Sequence, residues 1–322
     1  MGAVALRSTI LATVMLLTAT PALAQSYPTR PIRLLVPVAP GGGLDVVARF
    51  VAPKLSENLG KSVVVDNRTG ASGAIALELT ARAAPDGYTL MFFSAGQVGH
   101  SALNKTSYDL LRDFTPISQV SQAPYLLAVY TGLPAKTLGD FVAHAKANPG
   151  KLNYSSSGHA TLQHMVTELF GLTVGLKFVH IPYKGVAAAF PDLISGRTHF
   201  TISSAASLSG QLRAGALRPL AVTSAQRMKT LPEVPTMIEA GIPSFVITQW
   251  HGVLTGAGTP RPVIERLHRE IVKTVQHPEV AGRLAGDGTE PVGSSPQEFA
   301  GFVKSEYDKY SRVIKQTGIQ PE

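Results

Sequence analysis

The chain has 322 residues, no cysteine, 16% charged residues and a formal net charge of +8. The lack of cysteine excludes disulfides, Cys-ligated zinc, iron–sulfur clusters, a thiol nucleophile and a lipidated N-terminal cysteine. The lysines and arginines are dispersed, and even Arg261, Arg266 and Arg269 read as a solvated helix face, so no nucleic-acid partner is indicated; the positive balance favours the approach of anionic solutes. The length suggests two lobes, at roughly 100–200 residues per domain.

Arg7, the apolar stretch at 10–17 and the A-x-A site Ala22-Leu23-Ala24 together read as a secretory signal peptide over 1–24, with Gln25 the first mature residue. The stretch is shorter than the about 20 residues of a membrane span. A soluble protein outside the cytoplasm is expected.

Residues 32–38 form an unbroken apolar and β-branched run, as in a strand covered on both faces. Ala39-Pro40-Gly41-Gly42-Gly43 follows, then a helical period with Leu44, Val47, Ala48, Val51, Leu55 and Leu59 on one face. Pro53 interrupts it, at a cost of up to ~3 kcal/mol or a kink. Residues 62–66 read as a strand and 74–84 as a helix, and Asp86-Gly87 turns into a strand over 88–93. Thr137-Leu138-Gly139-Asp140 caps a helix that Asn148-Pro149-Gly150 stops. A short strand at 152–154 runs into Ser155-Ser156-Ser157-Gly158-His159, and a helix follows that Gly171 is expected to end. Strand–helix pairs at 177–182 with 186–195 and at 198–203 with 205–214 come next, then a strand at 218–223. Thr259-Pro260 opens a helix carrying Val263, Ile264, Leu267, Ile271 and Val275. Ser295-Pro296-Gln297-Glu298 opens the last one, reaching about Gln316. This alternation predicts an α/β architecture. No Gly/Ser linker is found, so short strands should cross between the lobes.

Two strand-to-helix loops stand out. At Gly41, Gly42 and Gly43 the glycines allow a tight turn at a helix N-terminus, where free N–H groups and the positive dipole end suit an anion. No Gly-Lys-Ser/Thr follows, and Val46 stands where a dinucleotide fingerprint needs its third glycine; an ordinary βα turn is the alternative. The second loop, from Ser155 through Ser156, Ser157, Gly158 and His159 to Thr161, offers hydroxyls and N–H groups for the other end of a ligand. A helix cap alone would use only one of them. Catalytic signatures are lacking: there is no G-x-S-x-G elbow and no H-E-x-x-H helix. His159 and His164 are five apart and do not share a helix face, and His164 with Glu168 reads as a surface pair. No cofactor or metal is expected.

The segments Tyr27-Pro28-Thr29-Arg30-Pro31, Val36-Pro37-Val38-Ala39-Pro40-Gly41-Gly42-Gly43-Leu44-Asp45 and Val65-Asp66-Asn67-Arg68-Thr69-Gly70-Ala71-Ser72-Gly73 recur in one family, as do Ala84-Pro85-Asp86-Gly87-Tyr88, His180-Ile181-Pro182-Tyr183-Lys184-Gly185 and Leu231-Pro232-Glu233-Val234-Pro235. In order and in combination they resemble the Bug/TctC family, periplasmic solute receptors of tripartite tricarboxylate transporters. The resemblance implies a type II periplasmic binding-protein fold, with two α/β lobes around a ligand cleft. It implies lobe 1 at 25–125 plus 250–322 and lobe 2 at 126–249, a monomer, and membrane transporter subunits as partners.

The resemblance also implies that Gly41, Gly42, Gly43 and Leu44, together with the loop containing Ser155, Ser156, Ser157, Gly158, His159 and Thr161, hold a carboxylate. Ser94, Ser203 and Ser204 line the rest of the cleft. Asp45 is read as a cap of the first helical turn. Gly43 replaces a Ser or Thr common in the family, and Ser203-Ser204 replaces an acidic residue, which turns the expectation toward a dicarboxylate or aromatic acid over an amino acid. His100, His159 and Trp250 are further candidates for ligand contact, with core packing the alternative for Trp250. A serine hydrolase using Ser157 with His159 or His164, and a ligand sensor, are the alternatives to a transport receptor.

Overall fold

The computed structural model describes residues 27–41, 43–159, 161–286 and 288–321; the expected signal peptide and Gly42 lie outside the described residues. In chain order, the first part is β1 (Ile32–Val36), α1 (Gly43–Leu59), β2 (Val63–Asn67), α2 (Ala74–Ala81), β3 (Thr89–Ser94), α3 (Ala95–Leu103) and β4 (Phe114–Tyr130). The middle is α4 (Leu138–Ala147), β5 (Asn153–Ser156), α5 (Leu162–Val174), β6 (Val179–Pro182), α6 (Val186–Ile194), β7 (Phe200–Ser204), α7 (Ala205–Arg213) and β8 (Leu217–Val222). The chain then returns through β9 (Thr248–Gly256), α8 (Arg261–Val275), α9 (Pro278–Gly286), β10 (Glu290–Pro291) and α10 (Pro296–Thr317).

Burial explains the first elements. The apolar run of β1 is covered on both faces, and the strand pairs in parallel with β2 and β3. The expected apolar face of α1 packs into the core beside Ile32, Leu34, Leu90 and Phe92. Pro53 does not break this helix. Its ring lies on the exposed side, where water can serve a carbonyl that has lost its donor.

β4 organises the topology. Through Pro124 it runs antiparallel to β9, which also pairs with β3; from Tyr125 onward it pairs with β7 and β8. β5 lies parallel to both β6 and β7, so the path reads β2-β1-β3-β9-β4-β7-β5-β6. Separate apolar clusters cover the two stretches: one holds Val47, Phe92 and Leu267, another Phe93, Trp250 and Phe299, and a third Phe141, Phe170 and Phe200. Where the chain passes between them, Thr223 acts as a staple. Its Oγ1 accepts from Tyr125 N–H at 2.9 Å and donates to the Ile247 carbonyl, and its own carbonyl accepts from Ile247 N–H.

Three expectations need correction. The crossing strand β4 is not short but has 17 residues; Pro116 sits at a register shift and Pro124 at the change of partners, places where a strand tolerates proline. Helix α5 does not end at Gly171. It runs on to Val174 and ends at Gly175, whose φ of 69° is the left-handed cap conformation. Gly171 is glycine for space, because a Cβ there would lie 2.7 Å from the Leu176 carbonyl oxygen. Finally, His164 is buried and Glu168 accepts from Tyr154 Oη at 2.7 Å, so these two are not a surface pair.

Candidate functional site

Parallel βα crossovers place helix N-termini at the carboxyl ends of strands, where α/β folds bind ligands. Here α1, α3, α5 and α7 each contribute a first-turn or cap residue to one cleft of about 530 Å³: Gly43, Ser94, Leu162 and Ser204. Three caps are explicit. Ser94 and Gln97 form a capping box on α3, Thr161 Oγ1 accepts from His164 N–H, and Ser204 Oγ accepts from Ser207 N–H. Each N-terminus carries roughly half a positive charge and unpaired N–H groups. Among the described residues lining the cleft there is no Asp, Glu, Lys or Arg. Among these residues the positive field comes from helix N-termini and from no cationic side chain.

The opposite wall comes from Tyr125 on β4 and from Gln249 and His251 on β9. His251 is buried, with Nδ1 3.0 Å from Ser121 Oγ and its ring stacked on Phe92; its Nε2 is buried without a hydrogen-bond partner. Burial pushes its pKa down to about 4, so the ring is neutral at pH 7. Burial, with Glu306 nearby, raises the Tyr125 hydroxyl pKa well above the usual tyrosine range. At pH 7 the described side chains that line the cleft are uncharged.

The expected residues divide. Gly43, Ser94, Ser157 and Ser204 line the cleft. Gly41 N–H donates to Asp45 Oδ2 at 2.9 Å, and that carboxylate also accepts from Arg49 Nε and Asn67 Nδ2. Burial works against ionising Asp45, but these donors outweigh it and hold its pKa below the usual carboxylate value. Asp45, expected as a cap of the first helical turn, instead ties that turn back to the preceding loop at Gly41. Leu44 turns its side chain into the core, leaving only its backbone for the cleft. Ser155 and Ser156 belong to the buried strand β5: Ser155 Oγ borders a small internal void, and Ser156 Oγ donates to the Gly158 carbonyl and contacts His180 Nε2. Ser203 Oγ is buried beneath Gln163. His159 and Thr161 border a neighbouring recess of about 450 Å³ together with His100, and this recess shares Gly96 and Leu162 with the cleft.

A family model for the tripartite tricarboxylate transporter family receptor, TctC, matches residues 47–319. The chain belongs to this family. Protein BugT of Bordetella pertussis is 37% identical over 94% of both chains. The fold agrees with a solved R. palustris protein with adipate, at 36% identity and a TM-score of 0.77, covering 92% of this chain and 100% of that one. MatC from Rhodopseudomonas palustris with bound malate matches at 28% identity and a TM-score of 0.73, over 89% and 100% of the two chains. The fold class is thus that of the TctC/Bug periplasmic binding proteins, which are solute-binding receptors and not enzymes. No helix among the described residues is long and apolar enough to cross a membrane.

In this TctC receptor the serine hydrolase alternative has no support. Ser156, not Ser157, reaches a histidine, and Ser156 is buried at the end of β5. Trp250 is core: it packs between Phe93 and Phe299, and its Nε1 donates to buried Glu306 at 3.0 Å. The sequence reading missed Gln163, Gln249, His251 and Thr289. Gln163 is the most informative of these, because its Oε1 accepts from Ser157 N–H at 2.8 Å while its Nε2 donates to Ser203. One buried amide thereby fixes the second loop against β7. Its position one residue into α5 was a signal; its partners were not legible.

Proposed function

We propose that this receptor captures a small organic acid, a dicarboxylate or aromatic acid in preference to an amino acid, and delivers it to the membrane subunits of a tripartite tricarboxylate-type transporter. The observation that carries the reading is the convergence of four helix N-termini on a cleft lined, among the described residues, by no charged side chain. Neutral N–H and hydroxyl donors stabilise a carboxylate there, while an ammonium group finds no counter-charge. The relatives solved with adipate and with malate support a diacid. Ser204, the cleft member of the Ser203-Ser204 pair, offers a hydroxyl in place of an acid.

In this reading the chain is exported by the signal peptide at 1–24 and acts as a periplasmic monomer. Its lobes are 25–125 plus 250–322 and 126–249, which agrees with the change of partners of β4 at Pro124 and Tyr125. Gly43, Ser94, Ser157 and Ser204 contact the acid, and Gln163 positions Ser157. Ligand contacts that are tighter with the lobes closed drive closure. A thermal-shift screen against mono-, di- and aromatic carboxylates tests this. The expected result is a rise in melting temperature that grows with concentration for diacids and is absent for their diesters. Shifts with amino acids alone would refute the preference.

A further inference from the structure

We infer, on the acid-capture reading above, that the recess beside the cleft is a second subsite, which takes the ring and far hydroxyl of a hydroxyaryl carboxylic acid whose carboxylate lies at the helix N-termini. The recess has a volume of about 450 Å³ and joins the cleft at Gly96 and Leu162, which line both. Gly96 has no side chain to close the junction. A compact diacid needs only the cleft, whereas a longer acid reaches both spaces. An apolar cavity of about 150 Å³ already holds benzene, so the recess has room for a substituted ring. Pro37, Val38, Leu103 and Leu162 give it apolar walls, and among the described residues that line it there is no charged side chain.

The polar groups of the recess select the far substituent. His100 and Asn104, at the end of α3, both line it. Asn104 Nδ2 lies 3.0 Å from His100 Nδ1 and 3.0 Å from the His100 carbonyl oxygen. A carbonyl only accepts, which fixes this atom as the amide nitrogen and His100 Nδ1 as its second acceptor. The imidazole proton therefore sits on Nε2, and burial pushes the pKa of the ring below the usual histidine value, so it is neutral at pH 7. Among the described residues nothing accepts from that Nε2–H. Both amide hydrogens of Asn104 are spent on His100, which leaves its Oδ1 as an acceptor. Capping of α3 explains the Asn104 contacts but uses neither Nε2–H nor Oδ1. The pair thus offers one donor and one acceptor beside apolar walls. A hydroxyl answers both; a carboxylate only accepts and an ammonium only donates. His159, also in the recess, spends its Nε2–H on the Gln320 carbonyl and adds only acceptor capacity, which again disfavours a carboxylate.

The test titrates the chain, by calorimetry, with para-hydroxybenzoate, para-hydroxyphenylacetate and para-hydroxycinnamate, each beside its deoxy and para-methoxy counterparts, and with adipate as the reference that needs only the cleft. The expected result is that at least one hydroxy acid binds at least about tenfold tighter than both counterparts, because a site built around a hydroxyl penalises analogues that cannot make both bonds. His100→Phe, which keeps a ring but has no N–H, should remove that preference. His144→Gln, outside the recess, should retain it. Should His100→Phe fold poorly, Gly96→Leu decides: a Cβ there meets Ser94 Oγ at an ordinary 3.7 Å, and the side chain closes the junction, so the preference should vanish there too. Acids that bind alike with and without the hydroxyl, or a preference that survives in His100→Phe, would overturn the subsite and leave acid capture in the cleft intact. Failure of every acid, adipate included, would refute acid capture itself and the subsite with it.

Discussion

Replacing Gly43 by leucine separates binding from folding more cleanly than any other change in the cleft. Gly43 is exposed at the first position of α1, and a Cβ built there meets no atom within 4 Å. Its φ lies outside the left-handed range, so a side chain is tolerated. Loss of glycine's freedom in the unfolded chain should leave stability equal or higher by about 0.4–1 kcal/mol. The isobutyl group, by contrast, stands over the α1 N-terminus in a cleft of about 530 Å³. If it displaces the acid from two charge-assisted hydrogen bonds, each about 1.5–3 kcal/mol, affinity falls by at least about 100-fold. Urea unfolding reads the first effect and calorimetry with the best acid of the screen the second. Gly43→Ser, which adds a hydroxyl, should bind at least as well as the parent. Parent-like affinity in Gly43→Leu would refute the role of this terminus.

Gln163→Leu keeps side-chain volume but leaves Ser157 N–H and Ser203 without their buried partner; it should cost about 1–3 kcal/mol in urea unfolding and weaken acid binding, and a neutral outcome in both would remove Gln163 from the site. Stability should also depend on pH through three histidines. His164, His180 and His251 have folded-state pKa values pushed down to about 3, 4 and 4, chiefly by burial, from 6.5. The unfolded chain therefore binds protons first, and stability, complete above about pH 6.5, is lost as pH falls toward 4. The slope near pH 5 should be about 2–4 kcal/mol per unit, below the three-proton maximum because His180 is only half-buried. A flat urea midpoint between pH 6.5 and 5, where carboxylates hardly titrate, would contradict this.

The βα grammar was legible wherever apolar period and cap chemistry agreed, as in α1, α4 and α10 with their Asp45, Thr137 and Ser295 signals. It failed at β4, whose prolines and alternating polar residues hide a strand shared by two sheets. It failed again at α3, where Gly96 and Gly99 argue against a helix. Gly99 is there because a Cβ would meet the Met165 side chain at 2.5 Å, a notch for close packing with α5. In the site, the loops were visible but the direction of each side chain was not. Leu44, Ser155 and Ser156 face inward because β5 and α1 are covered, a tertiary fact. The wall from Tyr125, Gln249 and His251 joins strands 124 and more residues apart in sequence only through the β4–β9 pairing, and His180 meets His159 and His164 only because β6 lies beside β5.

In the proposed receptor, helix N-termini and neutral donors hold a small organic acid in the cleft. Calorimetric titration of the chain with adipate, malate and aspartate tests it most directly. At least one diacid should bind one per chain with a Kd of about 1 µM or tighter, at least about tenfold tighter than aspartate. Binding of aspartate alone, or of no diacid at all, would contradict it.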